Sequence, residues 1–536
     1  MITMLSTIAL LGGASITQFE AQASDVEVVV TEKSEVVNIP DEALYRAISR
    51  ELGRGWDDED PITIEDMSCL EELVIYDNIS ELTGIEYAVN LRKLRIFGDE
   101  QATNVLDLSP IQGLTNLEGL FLHTPQVHDI TALSNLINLS ILYMGGDNIQ
   151  DLDALSNLKN LENIQIWDTH LTDINGLRDL TNLIELSIEG DSLKDISPLA
   201  KLHNLKSLRL EGNAISDVTP LSNLNNLESI DLSDNDISNI NLISIPNNVY
   251  SLNLSNNNIS NINLDSNLNN LEYLDLSGNN ISDINSLKYL KNLMALDLSN
   301  NKISNIDVIS QLEGLSDLDL SNNLISDITP LASFNSERLD EWTIVILNLD
   351  NNMISDVSPL QVIELTNRGV GPMRNIYFSI KNQKIELTAS LQNQMLEISN
   401  PIKGLNSIQK MNIKTNGVYD SSKDTLSWDG LNAGDKVNFT FEQVSDTGGS
   451  VGNIYYYSGQ VTITASDSPA VGWYQIDNQW YYMNNSGYNH IGWLQEGSTW
   501  YYLKSSGAMA TGWEKVNGTW YYFNGSGKMQ TGWLQE

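Results

Sequence analysis

Apolar positions along most of the chain follow a short, repeated rule. In NLKSLRLEGNAISDV, NLESIDLSDNDISNI, NLEYLDLSGNNISDI and NLMALDLSNNKISNI, leucine-type and polar residues alternate and then give way to a polar turn holding an asparagine. Alternation of period two predicts a short strand with one buried face. The first leucine-type residue of each strand falls at Leu142, Ile164, Leu186, Leu208, Ile230, Leu252, Leu274, Leu296 and Leu318, 22 residues apart each time. The same template places strands at Leu73, Leu94 and Leu120 before this run and at Leu347 after it, giving 13 turns. IYFSIKNQKIEL, with Phe378, Ile380, Gln383 and Ile385 in register, predicts a closing strand. One such unit cannot bury its own apolar residues, whereas stacked units share a continuous core. At strand spacing, the stack is on the order of 60 Å long.

A fixed period with L-x-x-L-x-L-x-x-N-x-I inside it is the leucine-rich-repeat signature. The expected fold is therefore an α/β solenoid, a leucine-rich-repeat horseshoe. The asparagine column (Asn213, Asn235, Asn257, Asn279, Asn301, Asn323, Asn352) is read as structural, since a side-chain amide can pair with backbone groups that a tight turn leaves free. Asp147, Thr169 and Asp191 hold its place in earlier turns. Upstream, VNIPDEALYRAISRELG predicts a capping helix opened by Pro40 and Asp41 and closed by Gly53, with Leu44, Ile48 and Leu52 on one face. Together, IPDEALYRAI…ELG, ITIEDM, ISELTGIEYAVNL and the 22-residue repeats with ISDITPL-type ends resemble the internalin family of Gram-positive surface proteins over about residues 37–387.

Side chains flanking the two buried leucines of each strand point to the concave face. Between the leucines, the column reads Arg95, Phe121, Tyr143, Gln165, Ser187, Arg209, Asp231, then mostly Asp and Asn. Two positions further, it reads Phe97, His123, Gly145, Trp167, Glu189, Glu211, then mostly Ser. The C-terminal half is thus an Asp/Ser ladder, while Phe97, Phe121, His123, Tyr143 and Trp167 cluster in the N-terminal half. Clustered aromatics on a concave surface are the composition of a protein-binding hot spot; the plainer reading is rings filling an irregular end. The internalin resemblance implies that aromatics on this face engage a host surface protein.

Residues 388–466 alternate as KMNIKT, KVNFTFEQ and QVTITA between Gly, Asp and Ser turns, which predicts an all-β module. After internalin repeats, an immunoglobulin-like module is implied at that place, as a spacer. A second period then begins. Gly-Trp pairs stand at 472–473, 492–493, 512–513 and 532–533, and Trp-Tyr-Tyr triplets open at Trp480, Trp500 and Trp520. Paired aromatic strands with short polar connections predict hairpins that must stack to bury their rings. This resembles the choline-binding, or cell-wall-binding, repeats of Gram-positive surface proteins over residues 471–536. The resemblance implies aromatic boxes between consecutive hairpins. One would use Trp473, Trp480 and Tyr502; a second, Trp493, Trp500, Met509 and Tyr522. Trp513, Trp520 and Met529 begin a third that has no following triplet. Tyr481, Tyr501 and Tyr521 alternate to the other face, where a core role is expected. Related repeats also bind glucans or host carbohydrates through the same surfaces, so the ligand stays open between choline and glucan.

Lys+Arg total 29 against Asp+Glu 70, a net charge of −41, which opposes nucleic-acid and anionic-lipid partners. A quaternary ammonium on the wall would still be attracted to ring faces. Cys69 is the only cysteine; it excludes an intramolecular disulfide and is expected as a small buried residue of the cap. Residues 1–23 resemble a signal peptide, with an apolar run from Ile8 to Ala14, too short to span a bilayer, and an A-x-A end at Ala21 to Ala23. The acidic run Asp57, Asp58, Glu59, Asp60 lacks the ligand spacing of a calcium loop and reads as a solvated turn. The five histidines (His123, His128, His170, His203, His490) have no chelating spacing, so neither a metal nor a cofactor is expected.

The expected order is signal peptide (1–23), linker (24–36), helical cap (37–72), leucine-rich repeats (73–387), immunoglobulin-like β module (388–466) and a stacked β-hairpin solenoid of choline-binding type (467–536). The function expected is a non-enzymatic adhesin, secreted to the Gram-positive cell wall or surface. Wall choline or a related carbohydrate polymer would sit at one end and a host or other surface protein at the other. The alternative is a wall-associated hydrolase or glucan-binding protein whose catalytic part is absent from this chain, since no nucleophile elbow or metal cluster is seen here.

Overall fold

The computed structural model describes residues 35–55, 60–98, 105–124, 127–145, 149–167, 170–190, 192–241, 245–263, 268–333, 345–360, 376–404, 410–446, 454–466, 472–476, 479–484, 489–497, 499–516 and 518–530. Several sequence expectations fall outside them: the signal peptide, nearly all of the linker, residues 57–59 of the acidic run, Asp147, Thr169, Asp191 and the Gly-Trp pair at 532–533.

Helix Glu42–Glu51 begins where Asp41 accepts the Leu44 amide and, across the cap, the amide and hydroxyl of Ser80 at 2.7 and 2.6 Å. Its Leu44, Ala47 and Ile48 are buried over the first turn of the solenoid, as a cap requires. A second helix, Ile64–Ser68, carries a capping box in which Thr63 and Asp66 satisfy each other's backbone amides. Cys69 ends this helix and is exposed, contrary to the sequence expectation. Met67 and Leu70 take the two inward positions on either side of it, which turns residue 69 outward.

Strands from Glu72–Ile75 to Val345–Asn348 pair in parallel, each leucine opposite the leucine of the next turn, within a 17-stranded sheet. Short 3₁₀ turns such as Thr131–Asn135 and Ser197–Lys201 form the opposite wall, many entered through an Asp that accepts the amide two residues on. Leucine and isoleucine from both walls fill one continuous core.

The asparagine column is a ladder of buried bridges. Asn257 accepts the Ile237 amide at 2.9 Å and donates to the carbonyls of Leu232, Leu254 and Ser255 at 2.9, 3.1 and 3.0 Å. Gln383 ends the ladder with a longer arm, accepting from Ile354 and donating to Leu349 and Lys381. A second ladder stands outside: Asn138, Asn160, Asn182, Asn204 and Asn226 each donate to a carbonyl 23 residues earlier, so the recurrent NL dipeptide also ties turn to turn.

Strand Ile376–Ser390 pairs with Val345–Asn348 at its start and with Ile454–Ser466 along nearly its whole length. It runs straight through residues 387 and 388, where the sequence reading divides solenoid from β module, so the two share one strand. The module's second layer is the antiparallel set Leu396–Ser399, Thr425–Trp428 and Val418–Asp420, with Trp428 buried between the layers. Three hairpins follow: Gly472–Ile476 with Gln479–Met483, Gly492–Glu496 with Thr499–Leu503, and Gly512–Val516 with Thr519–Phe523.

Candidate binding surfaces

On the concave face, the column three residues past the first leucine carries a run of rings. Tyr76 stacks on Phe97 at 5.4 Å and Phe97 on His123 at 5.0 Å, each pair nearly parallel. The next strand contributes Gly145. Trp167, one strand further, leans back across that glycine to meet His123 at 5.0 Å. A Cβ on Gly145 would stand 2.6 Å from the Trp167 indole nitrogen, so the missing side chain is what closes the run. In the neighbouring column, Arg95 lies over Phe121 at 4.8 Å and Phe121 meets Tyr143 edge-on at 5.1 Å. All five residues singled out from sequence are thus in two adjacent rows, half-buried rather than hidden. Burial among the rings holds the His123 imidazole below its ordinary range.

Tyr76 was missed because the column reading began one turn too late. It stands three residues after Leu73, as Phe97 does after Leu94, and is 65% exposed at the open end of the row. Arg50 of the cap helix lies over its ring at 5.3 Å. Beyond Trp167 the face changes chemistry: Arg209 is surrounded by Glu189, Glu211 and Asp231, at 3.1, 2.7 and 3.8 Å. The Asp column then turns inward on its own backbone, Asp275 and Asp297 accepting the amides of Ser277 and Ser299 at 2.8 Å.

In the tail, Trp473 pairs across its hairpin with Tyr482, and Trp493 with Tyr502. Cross-strand partners share a face, so Tyr502 meets its own hairpin's Trp493, at 5.3 Å. The residue that reaches Trp473 from the next repeat is Tyr501, at 4.7 Å; Tyr521 reaches Trp493 in the same way, at 4.8 Å. The tyrosines that meet the preceding repeat's tryptophan are thus Tyr501 and Tyr521, where the sequence reading expected Tyr502 and Tyr522. Alternation does send Tyr501 to the other face, but in a stack of hairpins that face is turned toward the previous repeat.

Trp493 and Trp500 stand edge to face at 6.0 Å, with Trp500 36% exposed. Met509 donates its amide to the Trp480 carbonyl, while its sulfur packs where a Cβ on Gly527 would fall. Met529 repeats the bond to Trp500. Trp513 and Trp520 are the most open rings of the set, and Lys515 lies 5.8 Å from the Trp520 ring centre.

Comparison with known proteins meets this geometry from both ends. Residues 291–333 match the family model for leucine rich repeats, and residues 470–511 and 510–536 match the choline-binding repeat. An internalin (inlF) of Listeria monocytogenes is 32% identical, over 56% of this chain and 94% of that one, with a TM-score of 0.49. The chain belongs to the internalin-like leucine-rich-repeat proteins and carries choline-binding repeats. The functional domain of InlJ from the same organism, described as including a cysteine ladder, shares the fold. It is 19% identical over 80% of this chain and 97% of that one, with a TM-score of 0.56. No curated protein matches the chain. Among the described residues no helix is long and apolar enough to cross a membrane. The modules of this internalin-like chain are of kinds that bind, and they point to a protein of the cell surface or exterior.

Proposed function

We propose that this internalin-like chain is a non-enzymatic adhesin of a Gram-positive cell surface. Its tail is held by choline on the wall polymer, and its concave aromatic rows take a host protein. The observation that carries the reading is the row Tyr76, Phe97, His123, Trp167, whose rings are held against one another on the parallel sheet and stay partly exposed on the concave face. Such preorganised aromatics are what interface hot spots are made of. The tail complements them: rings open between hairpins attract a fixed cation, and a protein of charge −41 can thereby hold an anionic polymer through its one cationic substituent.

Two assays separate the ends. Retention on immobilised choline, with elution by free choline, tests the tail; failure to bind would move it toward glucan recognition. Capture of proteins from host-cell surfaces tests the solenoid. Trp167→Ala with Tyr143→Ala should abolish capture while circular dichroism stays unchanged, and capture that persists places the site elsewhere.

A further inference from the structure

The two ring sites between consecutive hairpins are built from the same period but lined differently. In the first, the Trp473 indole N–H donates to a carboxylate oxygen of Glu496 in the next repeat, at 2.7 Å. Glu496 and Tyr501 lie on the face of the second hairpin turned toward Trp473, and the Tyr501 phenol is pushed up by burial and then by this carboxylate. In the second site, the residue 20 positions on from Glu496 is Val516, and it is buried. A carboxylate does approach there, on Glu514, but it is paired with Lys504 at 3.0 Å. The first site thus offers a net negative rim and the second does not.

Chemistry separates the ligands these rims favour. A fully methylated ammonium is weakly hydrated and has no N–H, so ring faces alone suffice for it. A primary ammonium is compact, strongly hydrated and carries three donors, so leaving water requires an acceptor in return. A carboxylate bonded to an indole N–H also enriches the ring in electron density, which strengthens its pull on any cation.

We infer that the site of Trp473, Trp480, Tyr501 and Glu496 takes primary as well as quaternary ammonium groups, whereas the site of Trp493, Trp500 and Tyr521 takes quaternary ones only. Glu496 is the specificity-determining residue. This rests on the proposed cation binding of the tail, and the test keeps the two apart.

The full chain and Glu496→Gln, first matched by circular dichroism, are titrated calorimetrically with choline and with 2-aminoethanol. Expected are two choline equivalents for both proteins. One 2-aminoethanol equivalent is expected for the full chain, weakened roughly tenfold or more in Glu496→Gln and salt-sensitive. No 2-aminoethanol binding, two equivalents, or binding indifferent to Glu496→Gln overturns the inference and leaves choline recognition standing if choline still binds. One Glu496-dependent 2-aminoethanol equivalent without choline binding keeps Glu496 as the determinant for primary ammonium, but overturns quaternary recognition at both sites and with it the choline reading. No binding of either removes both.

Discussion

Removing one rung of the inner ladder tests whether the asparagine column holds the solenoid or merely decorates its turns. Asn279 is buried and accepts the Ile259 amide at 2.9 Å, while its own amide donates to the carbonyls of Leu254, Leu276 and Ser277 at 3.0, 3.1 and 3.1 Å. In Asn279→Ala the Ile259 N–H is left without a partner among fully buried leucines and isoleucines, a cost of about 1–3 kcal/mol. The three carbonyls lose a shared donor and add about 1 kcal/mol, so the whole loss is about 2–4 kcal/mol. Asn279→Asp keeps the acceptor but aims a charge at three carbonyls, and should be at least as damaging at neutral pH. Exposed Asn280, whose oxygen accepts from Lys302 at 2.8 Å, is the control; its alanine variant should stay within about 0.5 kcal/mol. Stability in a solenoid is local, so hydrogen exchange at Ile259 and its neighbours reads the effect alongside urea unfolding. If Asn279→Ala stays within about 0.5 kcal/mol of the parent and Ile259 keeps its protection, the ladder argument fails.

Gly145→Ala should push Trp167 off its strand and open the ring row, so that the His123 imidazole, held down by burial, rises toward its ordinary value in an NMR titration; an unchanged titration would show that Trp167 does not cover it. Gly527 sits at φ +75 against the Met509 sulfur, so Gly527→Ala should cost about 1–2 kcal/mol and lower the melting temperature of the tail; equal melting curves would contradict this. Asp297 has its carboxyl pushed above the ordinary range by burial and by the charges of Asp275 and Asp319, although the Ser299 amide pulls the other way. A raised folded value means that this group favours folding below the ordinary value of 3.8, and that the contribution is lost as pH rises through the raised value. Asp297→Asn should therefore stabilise at neutral pH, by a few tenths to about 1 kcal/mol, with the gain vanishing below pH 3.8; a variant less stable at pH 7 would overturn the argument. Asparagine already fills this column at Asn253 and Asn348, accepting the amides of Ser255 and Asp350.

Where a repeat's period fixes both burial and register, the fold was legible residue by residue. Leu94, Leu120 and Leu142 stand opposite one another because one turn of chain separates each from the next, and a register slip would expose the core. The concave ring cluster followed from the same parity, since Phe97 and His123 cannot point anywhere else on a strand whose neighbours are buried. What was not legible depended on contacts across the period. Tyr76 needed the first, irregular turn to be counted as a turn, and the closure of the row needed Gly145 to be read as space for Trp167. Cys69 looked buried by residue type, but its exposure was decided by the phase of a five-residue helix.

That Tyr501 rather than Tyr502 meets Trp473 has a more general cause. In the leucine-rich solenoid each strand has one face in the core and one in solvent, so parity separates scaffold from surface, and a ligand can only be on the solvent parity. In the hairpin stack the middle two-stranded sheet meets a neighbour on both faces, its Tyr501 reaching Trp473 of the repeat before and its Trp493 taking Tyr521 of the repeat after. Trp493 touches Tyr502 on its own hairpin and Tyr521 on the next one, and each contact comes from a different parity of the same Trp-Tyr-Tyr triplet. Parity therefore cannot say which tyrosine lines a ligand box; only the direction of stacking can. On the proposed reading the same fact ties the tail's binding chemistry to its assembly, because a box would be complete only where a following hairpin supplies its tyrosine. Disrupting the packing of one repeat should then empty the box of the repeat before it. In the solenoid, a substitution on the solvent parity reaches at most the side chains beside it on that face, as Gly145 does Trp167, and leaves the leucine core of the neighbouring turns intact.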